Sequence, residues 1–95
     1  MSAPTRLKLP ADCSIRTIRS LHGEVGEAFA QTGDLTLDCT DVTRVDIAFV
    51  QLVVSAAKTA TRQAKHLRLA NMPAAVEVAF QRAGVAPDGL DRPVS

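Results

Sequence analysis

The feature that most constrains this chain is a repeated change of period. Short segments that alternate polar and apolar residues are separated by longer segments with apolar residues three and four apart. Alternation fits a strand with one buried face, and the three-four spacing fits an amphipathic helix. Arg6 to Leu9 alternates and stops at Pro10, and "CSIRT" (13–17) reads as a second extended piece. Thr17 then suits a helix N-cap, with Ile18, Leu21, Val25, Ala28 and Phe29 forming one stripe behind it. Gly23 and Gly26 weaken that helix, and Gly33 sits where a left-handed C-cap is wanted. "DLTLDC" (34–39) alternates again, with Leu35 and Leu37 on one face. Asp46 caps a helix expected to run to about Lys65, "HLRLA" (66–70) is a further strand, and Pro73 fits the first turn of a last helix. Val76, Ala79, Phe80 and Ala83 give that helix its stripe, and Gly84 with Val85 closes it.

The order is strand, strand, helix, strand, helix, strand, helix. Such alternation implies an α/β fold whose neighbouring strands run parallel through right-handed crossovers. With 95 residues the chain fits one small domain. We place that domain at residues 1–87 and read 88–95, which carries Gly, Pro and charges, as a loosely ordered C-terminal tail in which Leu90 could pack. Three Phe and no Trp or Tyr leave the core to Leu, Ile, Val and Ala.

Charge and composition exclude several functions. The net charge is +1, without the clustered Lys and Arg that a duplex needs, and the aromatic platforms for single strands are missing. We therefore expect no nucleic-acid partner. No secretory leader pattern opens the chain, and its longest apolar run, Ile47 to Ala57, is interrupted by Gln51 and Ser55. The expectation is a cytoplasmic protein without direct membrane insertion. Cys13 and Cys39 lie far apart, with no Cys-x-x-Cys, and read as buried reduced thiols, a regulatory pair being the sharper alternative.

No enzyme constellation assembles. His22 and His66 have no sequence-local acid or nucleophile, and no glycine-rich phosphate loop exists. Asp38, Asp41 and Asp46 could suggest a cation site, but a strand end, a turn and a helix cap account for them without one. Lys58, Arg62, Lys65 and Arg68 fit a solvated face, with an acidic partner as the alternative. The expectation is a non-enzyme with no catalytic residue, metal or cofactor.

Projected at 100° per residue, the helix after Asp46 buries Phe49, Val53, Ala56, Ala60 and Ala64, flanked by Val50 and Ala57. Gln51, Ser55, Lys58 and Arg62 face outward, and Ile47 and Val54 fall with them. Scattered surface aliphatics are ordinary. A partner surface is the sharper reading, because loop ends at one edge of an open α/β sheet tend to carry function.

The stretch from Leu35 to Val85 resembles the STAS domain, the fold of bacterial anti-sigma factor antagonists. The resemblance lies in a strand ending at Asp38, a turn with Val42, the capping Asp46, the helix to Lys65, the strand His66 to Ala70, Pro73 and Gly84. It covers about residues 7 to 86. It implies a STAS-like single domain with a mixed, mostly parallel four- to five-stranded sheet and three to four helices. It also implies a non-catalytic regulatory module that binds a protein partner. In the family the residue after the capping Asp is a Ser or Thr that a partner kinase phosphorylates, adding about −1.5 to −2 charge. Here that residue is Ile47, followed by Ala48 and Phe49, so the phosphate switch does not carry over. The partner surface expected is Asp46, Ile47, Ala48, Gln51, Val54 and Lys58. The resemblance leaves three kinds of partner open: an anti-sigma-type kinase or other signalling protein, the ATPase of an ABC-type lipid transporter, or a chemosensory assembly in which the chain is an adaptor.

Overall fold

The computed structural model describes residues 5–31 and 33–85. The tail expected at 88–95, and the domain boundary at 87, lie outside them. Eight elements follow in order: β1 (Thr5–Lys8), β2 (Asp12–Cys13), α1 (Ile18–Gln31), β3 (Asp34–Asp38), β4 (Arg44–Val45), α2 (Ile47–Arg62), β5 (His66–Ala70) and α3 (Ala74–Ala83). The α/β class, the three helices and the parallel pairing agree with the sequence pattern.

Among the described residues the main sheet is smaller than four to five strands: it has three, in the order β1-β3-β5, all parallel, while β2 and β4 form a separate parallel pair. The separation begins at Pro10, which has no amide to donate to a ladder. Just beyond it the Ala11 carbonyl accepts the amides of Thr43 (2.8 Å) and Arg44 (3.0 Å), tying this short strand to the loop before α2.

Register explains the alternation. Leu7 pairs with Leu37, and Leu35 with Leu67, so the leucines of three strands share one face. Leu35, Leu37 and Leu67 are buried; Leu7 and Leu69 pack at the margin of the same core. Arg6, Thr36 and Arg68 share the opposite face in register, and both arginines are exposed. A parallel sheet is usually covered on both sides and then reads as continuous apolar runs. This one keeps a polar face, so its strands read as alternating.

Helix α2 is the hub, packing against α1, β5 and α3. It buries Phe49, Val50, Leu52, Val53, Ala56, Ala57 and Ala60. The rings of Phe49 and Phe80 meet edge to face at 6.3 Å, joining α2 to α3. Edge-to-face pairing sets the positive edge of one ring on the negative face of the other.

Local expectations are revised at five places. Of "CSIRT" only Cys13 is in a strand; residues 14–17 turn, with the Thr17 amide donating to the Ser14 carbonyl at 3.0 Å. The Thr17 hydroxyl turns back from its helix, donating to the Asp12 carbonyl at 2.8 Å. Gly33 does not adopt a positive φ. Helix α2 ends at Arg62, because Ala64 is left-handed (φ 57°) and exposed, so Ala64 leaves the buried face. Pro73 is the N-cap of α3, one residue before its first turn. Gly84 does close α3 in the left-handed region (φ 72°), and the Val85 amide reaches back to the Phe80 carbonyl at 3.0 Å. This is the six-to-one bond of a Schellman-type end.

Candidate protein-interaction site

Asp46 builds one end of the site. Its Oδ1 accepts the Ala48 amide at 3.0 Å, which caps α2 and places a carboxylate at the positive end of the helix. Its Oδ2 accepts the Ile15 amide at 2.9 Å, from a residue 31 positions earlier. One carboxylate therefore fixes two segments. The loop holding Ile15 is tied further: the Ser14 amide donates to the Thr17 hydroxyl at 3.3 Å, and Ser14 itself is buried.

Two large aliphatics stand out from this fixed corner. Ile15 is 67% exposed and Ile47 is 56% exposed. Leaving a side chain such as these in water forfeits about 1.5–3 kcal/mol of burial.

From Ile47 an open groove of about 430 Å³ runs along α2 to the end of α3. Ile47, Gln51, Val54 and Lys58 line it from α2, and Ala83 and Val85 from the far side. Val50, which is buried, also reaches it. Four of the six residues expected from sequence, Ile47, Gln51, Val54 and Lys58, are thus gathered on one surface. Val54 is mostly buried and packs at the edge of the core. Asp46 sits at the corner as scaffold, with both carboxylate oxygens engaged. Ala48 is half-buried beside it and does not line the groove.

Sequence reasoning missed Ile15, Ala83 and Val85. The pattern of "CSIRT" reads as extended, whereas Ile15 lies in a turn, and nothing local relates it to Asp46. Ala83 belonged to the stripe of its own helix, and only the packing of α3 on α2 turns it toward the groove.

A second groove, about 500 Å³, lies between the end of β1 and α1. Its charges are mixed: Lys8, Arg16, Glu24 and Asp41 line it, and Lys8 pairs with Asp41 at 3.2 Å. Of the basic run, Lys65 donates from its ammonium to the Phe29 carbonyl, a structural bond between the connection that follows α2 and α1.

Titratable groups elsewhere are tied to structure. Burial pushes the Cys13 thiol up to about 12, with Cys39 and Asp12 adding to the rise. Burial likewise pushes Cys39 to about 11, with the Asp38 charge adding to it. Both cysteines are free, and both are held as thiols, the unreactive form. Asp38 is held down to about 2, first by the Thr40 hydroxyl, then by the Asn71 amide and the Thr40 backbone, with Arg6 also contributing. His22 and His66 are exposed. Among the described residues no three His, Cys, Asp or Glu gather at metal-binding distance, and no helix is long and apolar enough to cross a membrane.

The strand ending in Asp38, the cap at Asp46, the helix behind it and the left-handed Gly84 are thus all present in the fold. A family model described as "Mlab, STAS domain" matches residues 2–90. The chain belongs to the STAS domain family. Neither a curated protein nor a solved structure matches it. STAS domains are regulatory or protein-interaction modules. In this STAS domain the corner after the capping aspartate presents an exposed isoleucine and no hydroxyl.

Proposed function

We propose that this STAS domain is a non-catalytic adaptor, resembling anti-sigma factor antagonists, that binds a partner protein through the Asp46 corner and the groove along α2. The observation that carries this reading is Ile47. It is a large aliphatic, more than half exposed, at the position where the resemblance to anti-sigma factor antagonists implies a phosphorylated hydroxyl, and it opens a groove lined by the exposed side of the same helix. A side chain that no phosphate can modify makes the interface permanent, or leaves its control to the partner. A cytoplasmic signalling protein, such as an anti-sigma-type kinase, fits this role.

A permanent interface also suits a fixed subunit better than a cycling antagonist. This favours, as the second reading, an accessory subunit seated on the ATPase of an ABC-type lipid transporter. Which of the two applies depends on what the corner touches. A photo-cross-linking residue placed at position 47 or 78 in the native host tests this. Val78 is also exposed (41%) but lies outside the groove. Adducts from position 47, absent from 78, are expected, and their identity separates a signalling partner from a transporter ATPase. Adducts from 78 with none from 47 would overturn the reading.

A further inference from the structure

We propose that Ile15 and Ile47 form one two-pronged anchor, and that the anchor packs on an acidic segment of the partner protein. This rests on the partner reading of the Asp46 corner and adds to it a second anchor and a sign of charge.

The two side chains leave the protein from one fixed point. Ile47 directly follows Asp46, and the Ile15 amide donates to the Asp46 carboxylate at 2.9 Å. The turn around Ile15 is held on both sides. The Ser14 amide donates to the Thr17 hydroxyl and the Arg16 amide to the Ser14 hydroxyl, each at 3.3 Å. Ile15 is the more exposed of the pair, and its side chain is not part of the core. Folding therefore does not call for an apolar residue there. A side chain on backbone already fixed in this way has less freedom to lose when a partner covers it.

The two segments that Asp46 joins carry one sign of charge. Residues 13–23 and 42–65 hold Arg16, Arg19, Arg44, Lys58 and Arg62, all exposed, and Asp46 is their only acid. Lys65, also among them, is engaged by the Phe29 carbonyl. Both oxygens of Asp46 accept backbone amides. The ion pairs seen among the described residues, Arg6 with Asp38 and Lys8 with Asp41, engage none of the five exposed bases. Asp12 lies in register with Arg44, but it is partly buried and one of its oxygens is buried without a hydrogen-bond partner. A surface of one sign attracts a partner of the other and repels its own.

The shape favours a protein over an anionic bilayer. The groove that begins at Ile47 is concave, about 430 Å³. A flat lipid surface leaves it empty, whereas the side chains of a protein fill it.

The chain has three isoleucines, at 15, 18 and 47, so isoleucine methyl labelling of the full chain reports on both prongs. Ile18, partly buried against the core, is the internal reference. The probes are a synthetic amphipathic peptide of leucines and glutamates at helical spacing, and its counterpart with lysine for every glutamate. The glutamate peptide should shift the Ile15 and Ile47 methyls together and move Ile18 least; the lysine peptide should shift neither. Arg44→Glu should weaken the binding of the glutamate peptide about fivefold. Vesicles of phosphatidylglycerol should leave both methyls in place. Equal shifts from the two peptides, or none from the glutamate peptide at about 1 mM, would overturn the proposal. So would shifts from the vesicles alone, which would give the surface to a membrane. A shift of Ile47 without Ile15 would overturn the two-pronged anchor while leaving the partner reading of the Asp46 corner intact.

Discussion

The carboxylate of Asp46 accepts the Ile15 amide at 2.9 Å across 31 residues of sequence, while its other oxygen caps α2. The cap and the loop anchor are therefore separable. Asp46→Ala removes both and should destabilise the fold by about 0.5–2 kcal/mol, the range for losing an N-cap. Asp46→Ser keeps an acceptor for the Ala48 amide but cannot also reach Ile15. Urea denaturation should show most of the stability restored in the serine variant. Hydrogen exchange should show the Ile15 amide opened in both.

Two glycines should respond with opposite signs. Gly84 has φ 72°, and an added Cβ would meet no atom within 4 Å, so Gly84→Ala tests backbone strain alone. A cost of about 1–2 kcal/mol is expected. Gly23 lies inside α1, also with open space around it. Gly23→Ala should stabilise by roughly 0.5–1 kcal/mol, since Gly is the poorer helix former. Thermal melts of the two variants beside the native chain distinguish these effects.

Stability should fall toward both extremes of pH, for different groups. Cys13 and Cys39 have folded values of about 12 and 11, raised from 9.0. Above pH 9 the unfolded chain loses thiol protons that the folded chain keeps, so stability declines as pH rises toward 11–12. Replacing both cysteines by alanine should remove that part of the slope. Asp38 moves the other way, from 3.8 to about 2. Its contribution is present above pH 3.8 and is lost as pH falls through about 2. Asp38→Asn should flatten the acid limb, measured by urea midpoints across pH.

The parts legible in sequence were those with a local cause. Leu35 and Leu37 announce β3 by alternation, and Phe49, Val53 and Ala56 announce the buried side of α2 by helical spacing. Asp46 was legible as a cap because capping acts within two residues. The pairing of β2 with β4 was not: each has two residues, too few to show a period, and each depends on the other. Ala64 ends α2 in a left-handed conformation that alanine rarely adopts, so its sequence pointed to a longer helix. The site was half legible. Ile47, Gln51, Val54 and Lys58 share a helical face, whereas Ile15, Ala83 and Val85 reach it only through tertiary packing.

The most direct measurement of the central claim is the affinity of the partner captured at position 47 for three full-length chains: native, Ile47→Glu and Val78→Glu. Isothermal titration should show Ile47→Glu weakened at least tenfold, about 1.4 kcal/mol. A carboxylate at position 47 would place a charge, with its solvation shell, where the proposed interface needs an apolar contact. Val78→Glu, outside the groove, should bind as the native chain does. Equal affinities for Ile47→Glu and the native chain would contradict the account, because the corner would then not be where the partner sits.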